Sequence, residues 1–129
     1  MGQKYLIDSN VLIDYMAGSI PEKGSDFVEN LFNSQFLISV VTKIEVLGYN
    51  DLPHKMSAMS NFVSLSDILP LNETVTEKTI ELKRLFRKMK LGDAIIAATA
   101  IADNLALITR NVDDFIFIPS LKVLNPYEM

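Results

Sequence analysis

Short apolar runs alternate along this chain with stretches of helical spacing, and that alternation predicts a wound α/β fold. Tyr5–Ile7 reads as a strand, and polar Asp8, Ser9 and Asn10 lead into an amphipathic stretch through Met16. Gly18 and Pro21 then break the chain. Over Glu22–Phe32 the apolar residues Phe27, Val28, Leu31 and Phe32 fall at helical spacing. A second strand is expected at 36–39, a helical segment at 42–49, a helix at 54–63 and a third strand at Asp67–Leu69. Residues 73–88 form the longest predicted helix, with Val75, Ile80, Leu82, Leu85 and Phe86 available to the core. Asp93 is expected to cap an alanine-rich helix over 94–102, and strands at 105–108 and 121–124 complete the pattern. Strands separated by helices require right-handed crossovers. The expected fold is a three-layer α/β sandwich with a central, mainly parallel sheet.

At 129 residues the chain is expected to form one domain over 1–129, without internal repeat or linker. It has no cysteine, which removes disulfides, zinc–thiolate sites and thiol catalysis together. The apolar opening is interrupted by Asp8, Asn10 and Asp14 and does not read as a signal peptide; no stretch is long enough to span a bilayer. A cytoplasmic protein is the expectation.

Charge adds a contrast. The net charge is −4, whereas proteins that bind nucleic acid through phosphates are usually basic. Yet Lys78, Lys83, Arg84, Arg87, Lys88 and Lys90 crowd into one segment just before Gly92 and Asp93. Such a run is either a solvated helix face or a positive rim able to hold a polyanion beside an acidic site.

The acids supply the candidate chemistry. In an open parallel sheet, functional groups gather beyond the carboxyl ends of the strands. Asp8 follows the first strand directly, and the stretch from Thr109 to Asp114 follows a later one in the same way. Asp93 opens the helix leading into that later strand, and Glu45 lies within side-chain reach of the second strand's end. Two carboxylates ~5 Å apart repel by roughly 3 kcal/mol at an effective dielectric near 20, so a cation is the natural remedy. Magnesium or manganese suits an all-oxygen donor set, and either ion can activate water and stabilise charge on a phosphate.

The local motifs around these acids resemble those of PIN-domain proteins. Leu6-Ile7-Asp8-Ser9-Asn10-Val11-Leu12-Ile13-Asp14 is similar to the family's opening, and Val41-Thr42-Lys43-Ile44-Glu45-Val46 to its second acidic motif. Leu91-Gly92-Asp93-Ala94-Ile95-Ile96-Ala97-Ala98-Thr99-Ala100 resembles the third, the most specific of the set. Ile108-Thr109-Arg110-Asn111-Val112-Asp113-Asp114-Phe115 resembles the fourth. Their order, and the size of the chain, match the VapC-type toxins of toxin–antitoxin pairs.

The resemblance implies a magnesium- or manganese-dependent ribonuclease held in check by a cognate antitoxin, with a homodimer expected and operator DNA reached only through the antitoxin. Asp8, Glu45 and Asp93 correspond to the family's metal-site acids. Asp114 is the expected fourth, with Asn111 as a polar supporting ligand and Asp113 the weaker candidate. Ser9 and Asn10 are expected to hold Asp8 or a metal-bound water by hydrogen bonds. Lys83, Arg84, Arg87, Lys88, Lys90 and Arg110 are the expected contacts to the RNA backbone. Asparagine at position 8 or 93 is expected to abolish cleavage and leave the fold intact.

Each of these residues also has a plainer reading. Asp8 alone could simply cap the first helix, Glu45 could be solvated, and Asp113 and Asp114 could form a turn before Phe115. Asp14 and Asp51 read as exposed charges, and a lone His54 does not make a zinc site. Met56, Met59 and Met89 read as core or interface filler, while Tyr49, Phe62 and Phe86 could serve core, antitoxin or dimer contacts. The alternative function is a catalytically silent PIN-like binding module in a regulatory complex. A phosphoryl-transfer domain of receiver or haloacid-dehalogenase type also places Asp after its first strand, but its downstream partner residues are missing.

Overall fold

The computed structural model describes residues 2–129. Five short strands, β1 (Tyr5–Ile7), β2 (Leu37–Ser39), β3 (Asp67–Leu69), β4 (Ala106–Ile108) and β5 (Val123–Leu124), pair in parallel in the order β3-β2-β1-β4-β5. Helices α1 (Ser9–Met16), α2 (Glu22–Phe32), α3 (Val40–Leu47), α4 (Pro53–Val63), α5 (Glu73–Leu85) and α6 (Leu91–Ala102) supply the crossovers. Two 3₁₀ turns, Val112–Asp114 and Pro126–Glu128, flank β5.

The pleat divides each strand between two cores. Leu6 and Leu107 face α5 and α6, in a cluster with Val75, Leu82, Ile96 and Phe115. Their neighbours Ile7 and Ile108 face the other way, into a cluster with Val11, Leu12, Val28, Phe32, Ile38 and Val63. This period of two, with both faces covered, is why the strands read as unbroken apolar runs. Helix α6 is buried from Ala94 to Ala100, and its alanines allow it to approach the sheet closely. No helix among the described residues is long and apolar enough to cross a membrane.

Several element boundaries differ from the sequence expectation. Helix α3 begins at Val40, because the Ser39 hydroxyl accepts the Val41 N–H (3.1 Å) and caps it. Helix α6 begins at Leu91 after Lys90, so Asp93 is not its cap and instead sits in the first turn. Helix α5 stops at Leu85, because Phe86 leaves helical geometry (φ −125°, ψ 78°) and its ring packs on Phe117. The last strand is only Val123–Leu124. Ile80 and Leu85, expected in the core, are 46% and 65% exposed because they lie on the outer face of α5. Phe62 is half-buried in an aromatic cluster, its ring 4.8 Å from that of Phe32. Met59 and Met89 are buried, whereas Met56 is exposed.

Candidate active site

Asp8 leaves β1 beside β4, where the strand order reverses and an open parallel sheet forms its crevice. Its N–H extends the ladder by one bond to the Ile108 carbonyl (2.9 Å). Its side chain caps α1, with Oδ1 accepting the Ser9 N–H at 2.8 Å. Oδ2 accepts from the Thr109 hydroxyl at 2.8 Å and from Asn10 Nδ2 at 3.1 Å. Capping, offered by the sequence as the plain alternative to ligation, is therefore one of two things this carboxyl can do. Only 4% of Asp8 is exposed, and burial pushes its carboxyl above the usual range, opposed by the bonds from Thr109, Ser9 and Asn10.

The Ser9 hydroxyl has one proton to give. Its shorter contact is to Glu45 Oε1 at 2.7 Å, against 3.3 Å to Asp8 Oδ1. One side chain thus joins the ends of β1 and α3 and holds two of the acids side by side. Asn10 works in the same manner on the other flank. Its Oδ1 accepts the Arg110 N–H (2.9 Å), and its amide donates to Asp8 and, at 3.3 Å, to Thr109 Oγ1.

Asp93 completes the picture electrostatically. Its carboxyl is pushed up to about 6, first by burial, then by Asp8 and Asp114; Lys90 pulls it down and Glu45 adds to the rise. Asp8, Glu45 and Asp114 therefore all lie within the field of Asp93. Among the described residues, no three acidic or histidine side chains already stand close enough to cage an ion. The donors are all oxygens, the set that hard divalent cations such as magnesium and manganese take. His54 lies on α4, against a different groove.

The remaining candidates separate. Asp113 and Asp114 sit in the exposed 3₁₀ turn Val112–Asp114, and both line a cavity of about 480 Å³ with Asp93. Of the two, only Asp114 acts on the Asp93 carboxyl. Asn111 is exposed, and it is its backbone N–H that bonds Thr109 Oγ1 (3.1 Å). Arg87, Lys88 and Lys90 line the same cavity as the acids. Arg84 is exposed on α5 but does not line it.

Two of the cations expected to touch RNA have structural work instead. The Lys83 ammonium donates to the Met89 carbonyl and ties down the turn after α5. Arg110 pairs with Asp14 at 2.9 Å, and the Tyr127 hydroxyl bonds the same Asp14 oxygen. Asp14 is accordingly not the free surface charge it resembled.

Thr109 carries a role that its place in the sequence did not announce. It is fully buried and is the only one of these residues to bond Asp8, Asn10 and Asn111 together. A polar β-branched residue ending an apolar strand beside an acidic motif was the available signal.

The PIN domain family model matches residues 5–118. Ribonuclease VapC10 of Mycobacterium tuberculosis is 29% identical over 121 residues, covering 91% of this chain and 90% of its own length. Among solved structures, a toxin-antitoxin complex from Klebsiella pneumoniae contains a chain that is 32% identical with a TM-score of 0.78, covering 98% of this chain and 100% of that one. VapBC2 from Rickettsia felis, bound to a DNA fragment from its promoter, superposes with a TM-score of 0.80 at 22% identity, covering 95% and 98% of the two chains, a likeness of fold alone.

Proposed function

Because this chain belongs to the PIN-domain family, we propose that it is a ribonuclease of the VapC type, hydrolysing RNA phosphodiester bonds with magnesium or manganese as the toxin of a toxin–antitoxin pair. One observation carries the reading: Asp8, Glu45 and Asp114 all act on Asp93 at the point where the sheet order reverses. A cluster of that kind, without a cation in its midst, is costly to keep ionised.

Asp8, Glu45, Asp93 and Asp114 are the residues that would hold the ion. When bound, the ion supplies Lewis acidity, easing deprotonation of a nucleophilic water and offsetting charge on the scissile phosphate. The protein's part is to hold the carboxylates ready. Ser9, Asn10 and Thr109 fix both oxygens of Asp8, so its lone pairs keep one orientation. Ser9 also fixes Glu45. The Asp93 carboxyl, raised to about 6 by burial and its acidic neighbours, would be drawn to its ionised form by a bound cation. Arg87, Lys88 and Lys90, on the wall shared with Asp93, would hold the phosphates flanking the cleaved bond.

The protein would act in the cytoplasm, on RNA, as a homodimer held inactive by an antitoxin, and would meet operator DNA only through that antitoxin. The 32%-identical chain found in a toxin-antitoxin complex from Klebsiella pneumoniae supports this partner.

The test is a cleavage assay on single-stranded RNA with magnesium or manganese, with and without EDTA, on the wild-type chain and on Asp93→Asn. Cleavage that EDTA and the substitution each abolish supports the proposal. RNA left intact by the metal-loaded wild-type chain, or full activity in Asp93→Asn, overturns it. Asp93→Asn is the better variant, contrary to the sequence expectation that both asparagine substitutions are harmless to the fold. At position 8 a carboxamide would point an N–H at one of the donors now bonding Asp8.

A further inference from the structure

The cavity beside the acids contains a feature that metal chemistry does not use. Phe86 and Phe117 meet there edge to face, with ring centroids 4.8 Å apart and planes at 61°, on the same wall as Arg87, Lys88 and Lys90. Phe117 remains 43% exposed, although Phe115 and Ile118 anchor its segment in the core. Phe115 and Ile118 are buried in the core, and the Ile118 N–H bonds the Phe115 carbonyl at 3.1 Å. The opposite support is equally fixed. Met89 is buried, its N–H bonds the Phe86 carbonyl (3.0 Å), and Lys83 holds its carbonyl. The ring thus packs on Phe86 between anchored backbone segments while part of its surface faces open space, at a cost in unburied apolar area.

Arg87, Lys88 and Lys90 form no salt bridge among the described residues. Unpaired cations, a fixed aromatic face and a reactive acidic edge around one cavity match the chemistry of a single nucleotide: phosphate, base and scissile bond. At about 480 Å³ the cavity falls in the range that holds a small ligand.

We propose that Phe117, braced by Phe86, is a stacking platform for an unpaired nucleobase next to the cleaved phosphate, so that the substrate is RNA with at least one splayed base. In an A-form duplex the bases are stacked on one another and offer no free face, whereas loops and single strands do. This inference rests on the ribonuclease reading and narrows its substrate class.

The chain has no tryptophan, which gives a direct probe. Phe117→Trp places one indole on the platform, and a stacked base quenches its emission. The titrants are a short single-stranded RNA of mixed sequence, the same strand in a perfect duplex, and inorganic polyphosphate, in calcium buffer with the strand checked for integrity. The expected result is quenching by the single strand alone. Phe117→Leu should bind that strand roughly ten-fold more weakly, the loss of one stacked base, with polyphosphate affinity unchanged.

Unquenched tryptophan with a strand that binds and is cut overturns the platform and leaves the nuclease reading standing. Equal quenching by duplex or polyphosphate also overturns it. So does Phe117→Leu if it splits a dimer in sedimentation while keeping its RNA affinity, since the ring then belongs to a contact between copies. A wild-type chain that neither binds nor cleaves RNA overturns both proposals. Should Phe117→Leu fail to fold, the quenching result decides alone.

Discussion

Thr109 shows how much one hydroxyl can organise. It donates to Asp8 Oδ2 and accepts from Asn10 and from the Asn111 N–H, all inside the fold. Thr109→Val keeps the shape and strips out the hub, leaving the Asn111 N–H unpaired and Asp8 one donor short. Calorimetric titration should show manganese affinity falling by about 10–100-fold, with recovery in Thr109→Ser; unchanged affinity in the valine variant would remove Thr109 from the site. Asp93 makes a different prediction, one of sign. A carboxyl raised from 3.8 to about 6 holds its proton more tightly in the folded chain. The stability this contributes is complete below about 3.8 and is lost as the pH rises through about 6. The metal-free protein should therefore melt several degrees lower at neutral pH than at mildly acidic pH. Asp93→Asn should flatten that dependence and raise the neutral melting temperature, while largely losing the rise produced by manganese. A wild-type melting temperature that climbs across the same window would contradict the assignment.

At the scale of elements, what positions the site is the way segments end. Helix α1 starts on the site residue Asp8, and α3 starts on the buried cap Ser39, two turns before Glu45 points back to Ser9. The C-terminal 3₁₀ turn Pro126–Glu128 closes over α2, where a Cβ at Gly24 would lie only 1.6 Å from the Pro126 carbonyl oxygen. That turn carries Tyr127, which bonds Asp14, the partner of Arg110 beside Asn10. Gly24→Ala must push the turn away. Urea unfolding should register a loss of about 1–3 kcal/mol, the usual cost of overpacking. An alanine variant as stable as the parent would mean that the turn can move off α2 freely. These closures were hard to foresee because the pattern of apolar positions says which residues are buried, not which backbone they meet.

For the whole molecule, a net charge of −4 is compatible with the proposed polyanionic substrate because charge is distributed rather than summed. Beyond about 8–10 Å, physiological salt screens exposed charges, so RNA near the cavity responds mainly to Arg87, Lys88 and Lys90. Replacing all three by glutamine should reduce the slope of log affinity against log salt by about 2 for a single strand, at roughly 0.7 for each phosphate no longer neutralised. The same swap of Arg84 and Lys83 should leave the slope nearly unchanged. If the two sets behave alike, the basic segment acts as a diffuse cloud and not as a wall of the site.

The succession of strand and helix, the parallel sheet and the acids at strand ends could all be read from residue order. Periodicity is a local property, and a strand's end carries its next residue to one edge of any parallel sheet. Folding alone decided the rest: that Thr109 reaches Asp8 across 101 positions, that Lys83 and Arg110 are occupied while Arg87, Lys88 and Lys90 form no salt bridge among the described residues, and that the Asp93 carboxyl is raised to about 6. Those outcomes depend on distances between groups remote in the chain and on the water each one loses, and neither quantity exists until the layers have closed.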